Sequence, residues 1–458
     1  MADPVILWFR RDLRLSDQAA LVAAVSEGPV VPVYILDDET PLHHRMGSAS
    51  CWWLHHSLTA LDASLRVKGS RLILRRGRVD KELARLAEEI GTGRVHAIRH
   101  YEPWWRTAER SVDKALDLVR HDGNYLAPPG SILTDSGQSY RIYTPFWRAL
   151  SATMPPADPL NCPRDMPAPP SWPQSDRLAD WDLLPTKPNW AVGFRKEWTP
   201  GETGARARVD DFLEKAARYE ARRNLPSEEG TSRLSPHLHF GEVSPAYVWH
   251  RTVGSGGSVG TFLSEVGWRD YAQNVILQFP EYGGKNACEA FDDMPWRSGA
   301  AAEADLRAWQ LGRTGYPIVD AGMRQLWATG WMHNRVRMIA ASFLIKHLLI
   351  DWREGERWFW DTLVDADYGN NSVNWQWTAG TGADSNMFLR IMAPLSQSER
   401  FDAADYIREW VPELKELSAA AIHDPEEAGC RPSGYPGKLI GHREARERAL
   451  EAYRAVKA

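Results

Sequence analysis

The chain has 458 residues, a formal net charge of −5, and 43% apolar and 25% charged residues. This length allows two or more domains, and the acidity excludes a histone-like polycation, although a local basic groove could still bind nucleic acid. The four cysteines form no CxxC pair, which disfavours structural zinc and iron–sulfur clusters and favours free thiols in a reducing cytoplasm.

Residues 1–130 alternate short apolar runs with amphipathic segments. Strands are predicted at 5–9, 30–36, 71–77 and 94–99, and helices at 48–69 and 80–91. Strand–helix alternation predicts a Rossmann-like α/β domain with a parallel sheet. No GxGxxG follows the first strand, so a dinucleotide site of that kind is not expected.

Two apolar stretches are candidates for a targeting or membrane segment. Arg10, Arg11 and Arg14 interrupt the apolar N-terminus, so no signal peptide is predicted. The stretch 336–350 is short for a membrane span and contains a lysine and a histidine, so a buried core helix is predicted instead. We therefore expect a cytoplasmic protein without a membrane partner.

The middle of the chain is rich in proline, with eleven of the thirty prolines between residues 155 and 200. Proline at this density blocks helix interiors and central strands, so residues 131–200 are predicted to be an interdomain linker. Beyond residue 200 the helical periodicity continues and predicts a large all-α domain over 201–458. Its predicted helices include 205–224, 261–278, 322–330, 335–352 and 355–367.

The segment 230–245 supplies hydroxyl groups and free backbone N–H groups beside Arg233. Such a turn ahead of a helix suits an anionic phosphate, and an ordinary helix-capping turn is the alternative interpretation. Further on, Glu265, Trp268 and Arg269 are spaced to share one helical face. A surface acid–base pair beside a partly buried tryptophan has the same pattern.

The segment WMHNRVRM is predicted to place four side chains on one helical face, namely Trp331, Asn334, Arg335 and Met338. Buried tryptophan and methionine with a solvated arginine would explain it equally well. The segment DADYGNNSVNWQW (365–377) holds carboxylates, amides and two tryptophans, and this mixture is poor material for an ordinary helix or strand. Arg390, Gln397 and Arg400 then follow in turn-rich sequence.

Together these segments suit an unstacked nucleobase beside a planar cofactor, because indoles stack, amides and carboxylates hydrogen-bond base edges, and arginines bind phosphates. The 22 tryptophans agree with stacking or electron transfer better than with a core alone. No His/carboxylate set has metal-ligand spacing, and no nucleophile-elbow signature indicates a Ser/His/Asp hydrolase.

Six segments, in this order, resemble the photolyase/cryptochrome family: LWFRRDLRLSDQAAL, GTSRLSPHLHFGEVSP, SEVGWRDY, TGYPIVDAGMRQLWATGWMHNRVRM, DWREGERWF and NNSVNWQW. The resemblance spans nearly the whole chain and is strongest to bacterial class I cyclobutane pyrimidine dimer (CPD) photolyases. It implies a helical domain that binds FAD. It also implies that excited FADH⁻ passes an electron to a pyrimidine dimer flipped out of UV-damaged DNA.

The resemblance also implies residue roles. The FAD contacts are Tyr219, Thr231, Ser232, Arg233, Leu234, Ser235, Arg269, Asp365, Asp367 and Asn371. The catalytic group is Glu265, Asn334, Met338 and Asn371. The lesion and DNA contacts are Arg223, Glu265, Trp268, Asn334, Arg335, Trp377, Arg390 and Gln397. Thr231 to Ser235 hold the diphosphate, and Asn371 faces the flavin N5, where plant cryptochromes carry Asp.

Electron transfer from the surface to the flavin is expected along Trp296, Trp352 and Trp375, with Trp309 as an alternative outer end. Asn334 and Met338 stand where six-four photolyases have two histidines, so cyclobutane dimers are the expected substrate. Folate-binding members carry an Asn-Glu pair where this chain has two tryptophans, Trp104-Trp105. Methenyltetrahydrofolate is therefore disfavoured as an antenna; deazaflavin is preferred over a second flavin or none.

The leading prediction is a monomeric light-driven DNA repair enzyme. The main alternative is a cryptochrome-like blue-light receptor without repair activity, and Asn371 and the intact set of lesion residues favour the enzyme. A flavin- or nucleotide-binding protein with no DNA role would not explain why Glu265, Trp268, Asn334 and Trp377 occur together.

Overall fold

A computed structural model describes residues 3–257, 259–383 and 388–457 of the chain. The N-terminal half contains a parallel sheet in the order β3-β2-β1-β4-β5. The strands are β1 (Val5–Phe9), β2 (Val30–Leu36), β3 (Ile73–Arg76), β4 (Arg94–Ile98) and β5 (Asp117–His121). The flanking helices are α1 (Ala19–Glu27), α2 (Ser48–Val67), α3 (Val79–Ile90) and α4 (Pro103–Asp113).

The sheet is buried on both faces. Successive side chains of a strand point to opposite faces, so Leu7 and Phe9 of β1 enter one core while Ile6 and Trp8 enter the other. All four predicted strands are confirmed, with shorter ends at β3 and β4. The fifth strand, β5, was missed because its sequence, DLVRH, has only two apolar residues and resembles neither a buried nor an alternating strand.

The segment 131–200 is not extended throughout. Helix α5 (Tyr143–Ser151) lies within it and packs against the long helix α11 (Gly260–Gln278). Its proline-rich part packs on the α/β half, where Trp181 and Phe194 belong to the same buried cluster as β1. The predicted linker therefore contributes side chains to both halves of the molecule.

The C-terminal half is helical, as predicted. Helix α11 has been described above. The other α-helices from residue 194 onward are α6 (Phe194–Glu197), α7 (Glu202–Leu213), α8 (Tyr219–Arg222), α9 (Ser235–His239), α10 (Pro245–Gly254), α12 (Ala300–Gln310), α13 (Pro317–Thr329), α14 (Asn334–Ser342), α15 (Trp352–Thr362), α16 (Tyr368–Ala379), α17 (Pro394–Arg400), α18 (Ala404–Trp410) and α19 (His442–Lys457). No helix of the described residues is long and apolar enough to cross a membrane.

Two long predicted helices are broken in the structure. The segment 205–224 divides into α7 and α8, because Phe212 and Tyr219 both turn onto Phe262 of α11. The segment 335–352 divides into α14, a π-helical turn over residues 343–347, and the start of α15. In both places tertiary packing overrides the helical periodicity of the sequence.

The segment 365–377 was expected to be poor helix material, and this expectation is wrong. Most of it forms α16, which begins after Asp367, whose carboxylate accepts the Asn370 N–H at 2.8 Å. The helix ends at Gly380, which adopts a left-handed conformation with φ of 75°. Good caps at both ends and burial of most of its residues stabilise a helix of weak intrinsic propensity.

Candidate functional site

A cavity of about 450 Å³ lies in the helical half, between α8, α9, α11, α14 and α16. It brings together most of the predicted site residues: Tyr219, Arg223, Thr231, Ser232, Arg233, Leu234, Ser235, Glu265, Trp268, Arg269, Asn334, Arg335, Met338, Asp365, Asp367 and Trp377. A second cavity, of about 140 Å³, shares seven of its lining residues with the first, Trp377 among them, and adds Asn371 and Trp375. Trp296, Trp352, Arg390 and Gln397 line neither cavity.

The turn before α9 forms one wall of the larger cavity. Arg233 adopts a left-handed φ of 51°, and its guanidinium pairs with Glu197 at 2.8 Å and lies 4.8 Å from the Trp331 ring centroid. The arginine is thus anchored away from the hydroxyl groups of Thr231 and Ser232, which line the cavity. This wall offers polar hydrogen-bond donors of the kind that bind phosphate oxygens.

Two carboxylates approach the cavity from the loop ahead of α16. Asp365 accepts a bidentate pair of hydrogen bonds from Arg337, at 3.0 and 2.8 Å, and a third from the Ser235 hydroxyl at 2.6 Å. The sequence did not indicate Arg337 as a site residue, because nothing in WMHNRVRM distinguishes it from Arg335. The bidentate pair holds Asp365 in one orientation at the cavity wall.

Asp367 lies where the two halves of the molecule meet. Its carboxylate is 3.7 Å from Nδ1 of His239 and 4.0 Å from the Arg11 guanidinium, which comes from the α/β half. Burial opposes ionisation, but these neighbours and the cap of α16 hold the pKa of Asp367 well below its usual range. Asp367 is therefore an anion at neutral pH, available to accept hydrogen bonds.

Asn371 is held by a buried glutamate that the sequence did not indicate. Its Nδ2 donates to Oε1 of Glu356 at 2.9 Å and to the Glu356 carbonyl oxygen at 3.1 Å, which leaves the amide oxygen available to the cavity. Burial raises the pKa of Glu356 to about 7, despite the hydrogen bond from Asn371. Glu356 is one of three acidic residues in DWREGERWF, and nothing in this segment identifies it as a partner of Asn371.

Glu265 and Arg223, which were expected to contact different parts of the DNA, form an ion pair 2.6 Å long. The pair lies at the cavity, and 32% of the Glu265 side chain remains exposed. Burial raises the pKa of the Glu265 carboxyl, and the positive charges of Arg223 and Arg335 only partly oppose this shift. Burial thus favours the neutral form of this carboxyl, and the neighbouring arginines favour its charged form.

Trp268 has an aromatic support from the predicted linker. The ring of Tyr143 stacks on it at a centroid distance of 3.6 Å and an interplanar angle of 12°, and Trp147 stacks behind Tyr143. A Cβ at Gly267 would meet Trp147 at 2.6 Å, so only glycine lets α5 approach α11 this closely. Sequence reasoning missed Tyr143, because it lies more than 100 residues away from Trp268.

Helices α14 and α16 form other walls of the larger cavity. Asn334 and Met338 line both cavities, and Arg335 is fixed by Asn224 at 2.7 Å. Trp331, expected on the same helical face, lies before α14 begins, yet it still lines the larger cavity.

A positively charged rim borders the cavity. Burial, followed by the charges of Arg223, Arg390 and Arg400, lowers the pKa of Arg335, so each of these three guanidinium groups acts on that of Arg335. Arg390 and Arg400 are exposed. Clustered, exposed arginines next to an aromatic cavity form a surface that suits a nucleic-acid backbone.

The predicted electron-transfer tryptophans differ in exposure. Trp375 and Trp352 are buried, and a Cβ at Gly355 would meet the Trp375 ring at 2.1 Å, so glycine lets α15 and α16 approach closely. Trp296 is partly exposed, whereas Trp309 is fully buried and lies 6.4 Å from Trp375 between ring centroids. Trp309 therefore lacks the exposure expected of an outer end at the surface, and the assignment of the outer end stays a prediction.

Comparisons with known proteins agree with this geometry. Residues 5–169 match the family described as DNA photolyase, and residues 262–455 match the FAD binding domain of DNA photolyase. The chain belongs to the photolyase/cryptochrome family. The predictions of FAD as cofactor and of a photo-lyase type of enzyme are confirmed at the level of the family.

Individual relatives are similar over almost their full length. A deoxyribodipyrimidine photo-lyase of Agrobacterium fabrum is 49% identical, over 99% of this chain and 98% of the relative. A structure titled as a bacterial class III photolyase from Agrobacterium tumefaciens is 48% identical, with a TM-score of 0.94 over 100% of this chain and 98% of its own. An archaeal photolyase from Sulfolobus tokodaii, titled as holding two FAD molecules, is 30% identical, with a TM-score of 0.86 over 99% of this chain and 100% of its own. The class I assignment of our chain stays a prediction.

Proposed function

We propose that the protein repairs cyclobutane pyrimidine dimers in UV-damaged DNA by light-driven electron transfer from FAD. One observation supports this above the others. The cavity that brings together Glu265, Trp268 and Trp377 shares seven lining residues with the cavity that Asn371 lines, so the two cavities are neighbours. A flipped lesion and a flavin ring would thus lie side by side.

The cavity walls fit FAD. The hydroxyl and N–H groups of Thr231 to Ser235 would hold the diphosphate, and Asp365, Asp367 and Asn371 would accept hydrogen bonds from the ring and ribityl chain. Tyr219 and Arg269 complete this wall. When bound, FADH⁻ supplies the excited electron that splits the cyclobutane ring. Asn371 cannot release a proton, so it would accept a hydrogen bond without changing charge.

On the lesion side, Glu265 would hydrogen-bond the carbonyl and N–H edge of the dimer, and Asn334 and Met338 would line the same space. Trp268 and Trp377 would flank the flipped bases as apolar walls. A cavity without histidine at positions 334 and 338 supports cyclobutane dimers over six-four products as substrate.

The DNA backbone would bind outside the cavity. Arg335 and Arg390 lie in the positive rim, and Gln397 is on α17, the helix that ends at Arg400. Phosphate contacts of this type give affinity without sequence preference, as repair of scattered damage requires.

The decisive experiment illuminates the purified, reduced protein with blue light in the presence of an oligonucleotide that contains one thymine dimer. We expect the dimer to disappear. If the dimer persists while the flavin is photoreduced normally, the receptor interpretation replaces the repair interpretation. In the dark, stronger binding of dimer-containing DNA than of undamaged DNA separates the repair and receptor interpretations from a flavoprotein with no DNA role.

Photoreduction would run from Trp296 through Trp352 to Trp375. The partial exposure of Trp296 and the burial of the other two support this order. Trp375→Phe should slow photoreduction by at least about tenfold, yet leave repair by pre-reduced protein within about twofold. Equal loss of both activities with FAD still bound would contradict the assignment.

An antenna pigment, if bound, would be deazaflavin, with a second flavin as the alternative. Trp104 is packed against His44 and Tyr368, at 5.8 and 5.1 Å between ring centroids, so aromatic rings fill the place of the folate-binding Asn-Glu pair. A separate cavity of about 280 Å³, next to Arg99 and Tyr101 beyond the carboxyl end of β4, is a place for such a ligand. Mass spectrometry of the pigments released from the native protein tests this.

We infer that the protein works as a monomer in the bacterial cytosol, associated with the nucleoid when bound to damage. The four free cysteines support a reducing compartment. Light scattering of the purified protein checks the monomer.

A further inference from the structure

The ion pair between Arg223 and Glu265 joins two residues that have separate tasks in the proposed repair reaction. Arg223 ends α8 at the rim of the cavity, and Glu265 lies in the middle of α11 on the lesion wall. The two side chains are 2.6 Å apart, and only 20% of the Arg223 side chain is exposed. While this pair exists, Nη2 of Arg223 and Oε1 of Glu265 are engaged with each other, so these two atoms do not contact a phosphate or a base.

The titratable and charged groups around Glu265 come from three neighbouring elements. Arg223 and Tyr219 come from α8, Arg335 from α14 and Tyr143 from α5. Burial raises the pKa of both tyrosines above their usual range, so they are neutral near pH 7. Arg223 is therefore the cation in direct contact with Glu265, and Arg335 is the more distant one, fixed by Asn224.

The proposed reaction needs a hydrogen-bond donor at this place. An ionised carboxylate can only accept hydrogen bonds, whereas the carbonyl oxygen of the lesion gains negative charge when the electron arrives. A neutral carboxyl at Glu265 would donate its O–H to that oxygen. Glu265 would become neutral if the cation beside it moved away, because burial already raises its pKa and Arg223 opposes the shift.

A DNA phosphate is the partner that can move Arg223. The positive rim of Arg335, Arg390 and Arg400 lies close by, so a bound strand brings phosphates to this side of the cavity. A phosphate accepts a bidentate arginine as well as a carboxylate does, and it carries a full charge outside the desolvated cavity. The exchange replaces one ion pair with another.

We propose that Arg223 is a relay between the DNA backbone and Glu265: a strand phosphate takes the guanidinium, and the released Glu265 takes a proton from solvent and donates it in a hydrogen bond to the lesion. The proton stays covalently bound to Glu265 while the hydrogen bond to the lesion lasts. Because this rests on the proposed repair function, the test compares two substrates that the same protein repairs.

The experiment measures the pH profile of repair by pre-reduced protein at saturating substrate. One substrate is a dimer-containing oligonucleotide, and the other is a thymine dimer without flanking phosphates. With the oligonucleotide, repair should persist to a higher pH, because the phosphate-free dimer leaves Arg223 on Glu265. In Arg223→Gln the two profiles should coincide at the higher value.

Infrared difference spectroscopy at pH 7 gives a readout that does not depend on repair. Binding of the oligonucleotide in the dark should produce a carboxylic-acid C=O band that is absent from Glu265→Gln and absent with the phosphate-free dimer. The control variant is Arg390→Gln, which removes a rim charge not paired with Glu265. It should weaken oligonucleotide binding and leave the pH profile of the phosphate-free dimer unchanged.

Coincident pH profiles of the two substrates in the wild-type protein would overturn the relay. So would a carboxylic-acid band that appears with the phosphate-free dimer. The pH profiles require that the wild-type protein repairs dimers, whereas the infrared result does not. A wild-type protein that repairs neither substrate would instead reject the proposed function itself. Should Arg223→Gln fail to bind FAD, the wild-type comparison and the infrared band still decide the question.

Discussion

In the α/β half, Glu109 accepts a hydrogen bond from Arg10 at 2.6 Å and forms an ion pair with Arg120 at 3.3 Å. Burial opposes ionisation, but Arg10 and the His100 N–H hold the pKa of the Glu109 carboxyl below its usual range. In the helical half, Glu356 is equally buried, but its close partner is the Asn371 amide, and its pKa is raised to about 7. Of these two buried carboxyls, the one in the α/β half has a cationic partner, whereas Glu356 has a neutral partner and can change charge.

This difference separates a structural from a functional use of buried charge. Arg10 is 1% exposed and also donates to the carbonyl oxygen of Ile98, so its pairing holds the ends of β1 and β4 together. Around the cavity, by contrast, Arg335 and Arg390 keep exposed surface for a phosphate. Perturbed carboxyls beside a cavity are typical of functional sites, whereas saturated ion pairs are typical of structural ones.

The largest expected effect breaks the pairing in the α/β half. Arg10→Met should lower the free energy of unfolding by about 3–5 kcal/mol at pH 7, because it leaves a buried carboxylate without its main partner. The difference should shrink as the pH falls below the usual glutamate range, because a protonated Glu109 no longer needs the cation. Denaturant unfolding measures it. A loss below about 1 kcal/mol would show that Arg120 alone satisfies Glu109.

The next prediction concerns the unpaired carboxyl. Between the ordinary glutamate pKa of 4.5 and the raised value of about 7, folded Glu356 binds a proton that the unfolded chain does not, so stability must fall as the pH rises through this window. The wild type should lose on the order of 2–3 kcal/mol more than Glu356→Gln between pH 4.5 and 8. Parallel stability curves for the two proteins would refute the assignment.

A smaller effect is expected from the support behind the lesion wall. Tyr143→Ala removes the ring stacked on Trp268 and should weaken binding of dimer DNA by about 3- to 10-fold, in line with the strength of aromatic pairs. Tyr143→Phe keeps the ring and serves as the control. Fluorescence anisotropy with damaged and undamaged duplexes measures both. Equal weakening for undamaged DNA would mean that Tyr143 acts on the backbone and not on the lesion.

The smallest effect is expected at the exposed rim. Arg390→Gln should leave the free energy of unfolding within about 0.5 kcal/mol of the wild type. It should also reduce the salt dependence of DNA binding by about one phosphate contact, the opposite pattern to Arg10→Met. An unchanged salt slope would remove Arg390 from the DNA surface.

Much of the architecture followed from local sequence. The first four strands are apolar runs bounded by turns, and the parallel sheet followed from their alternation with helices. The site residues were reached through motifs, and the resemblance that these motifs carried was confirmed by the comparisons. The boundaries 1–130, 131–200 and 201–458 stay predictions.

What failed to follow from sequence involved distant partners or marginal propensity. Helix α16 forms because Asp367 and Gly380 cap it and because its neighbours bury it, and neither burial nor neighbours can be read locally. The contacts of Glu356 with Asn371 and of Tyr143 with Trp268 join segments with no common pattern. No periodicity reports such pairs.

By itself, the sequence determined the two kinds of domain, the family and the set of residue types at the cavity, since these depend on local patterns and recognisable motifs. Only the tertiary structure decided which of those residues touch. It placed Arg223 on Glu265, supported Trp268 with Tyr143 and buried Trp309, because contact and desolvation arise from the packing of segments far apart in the chain. Charge state depends on that packing, and so does the chemistry proposed for the cavity.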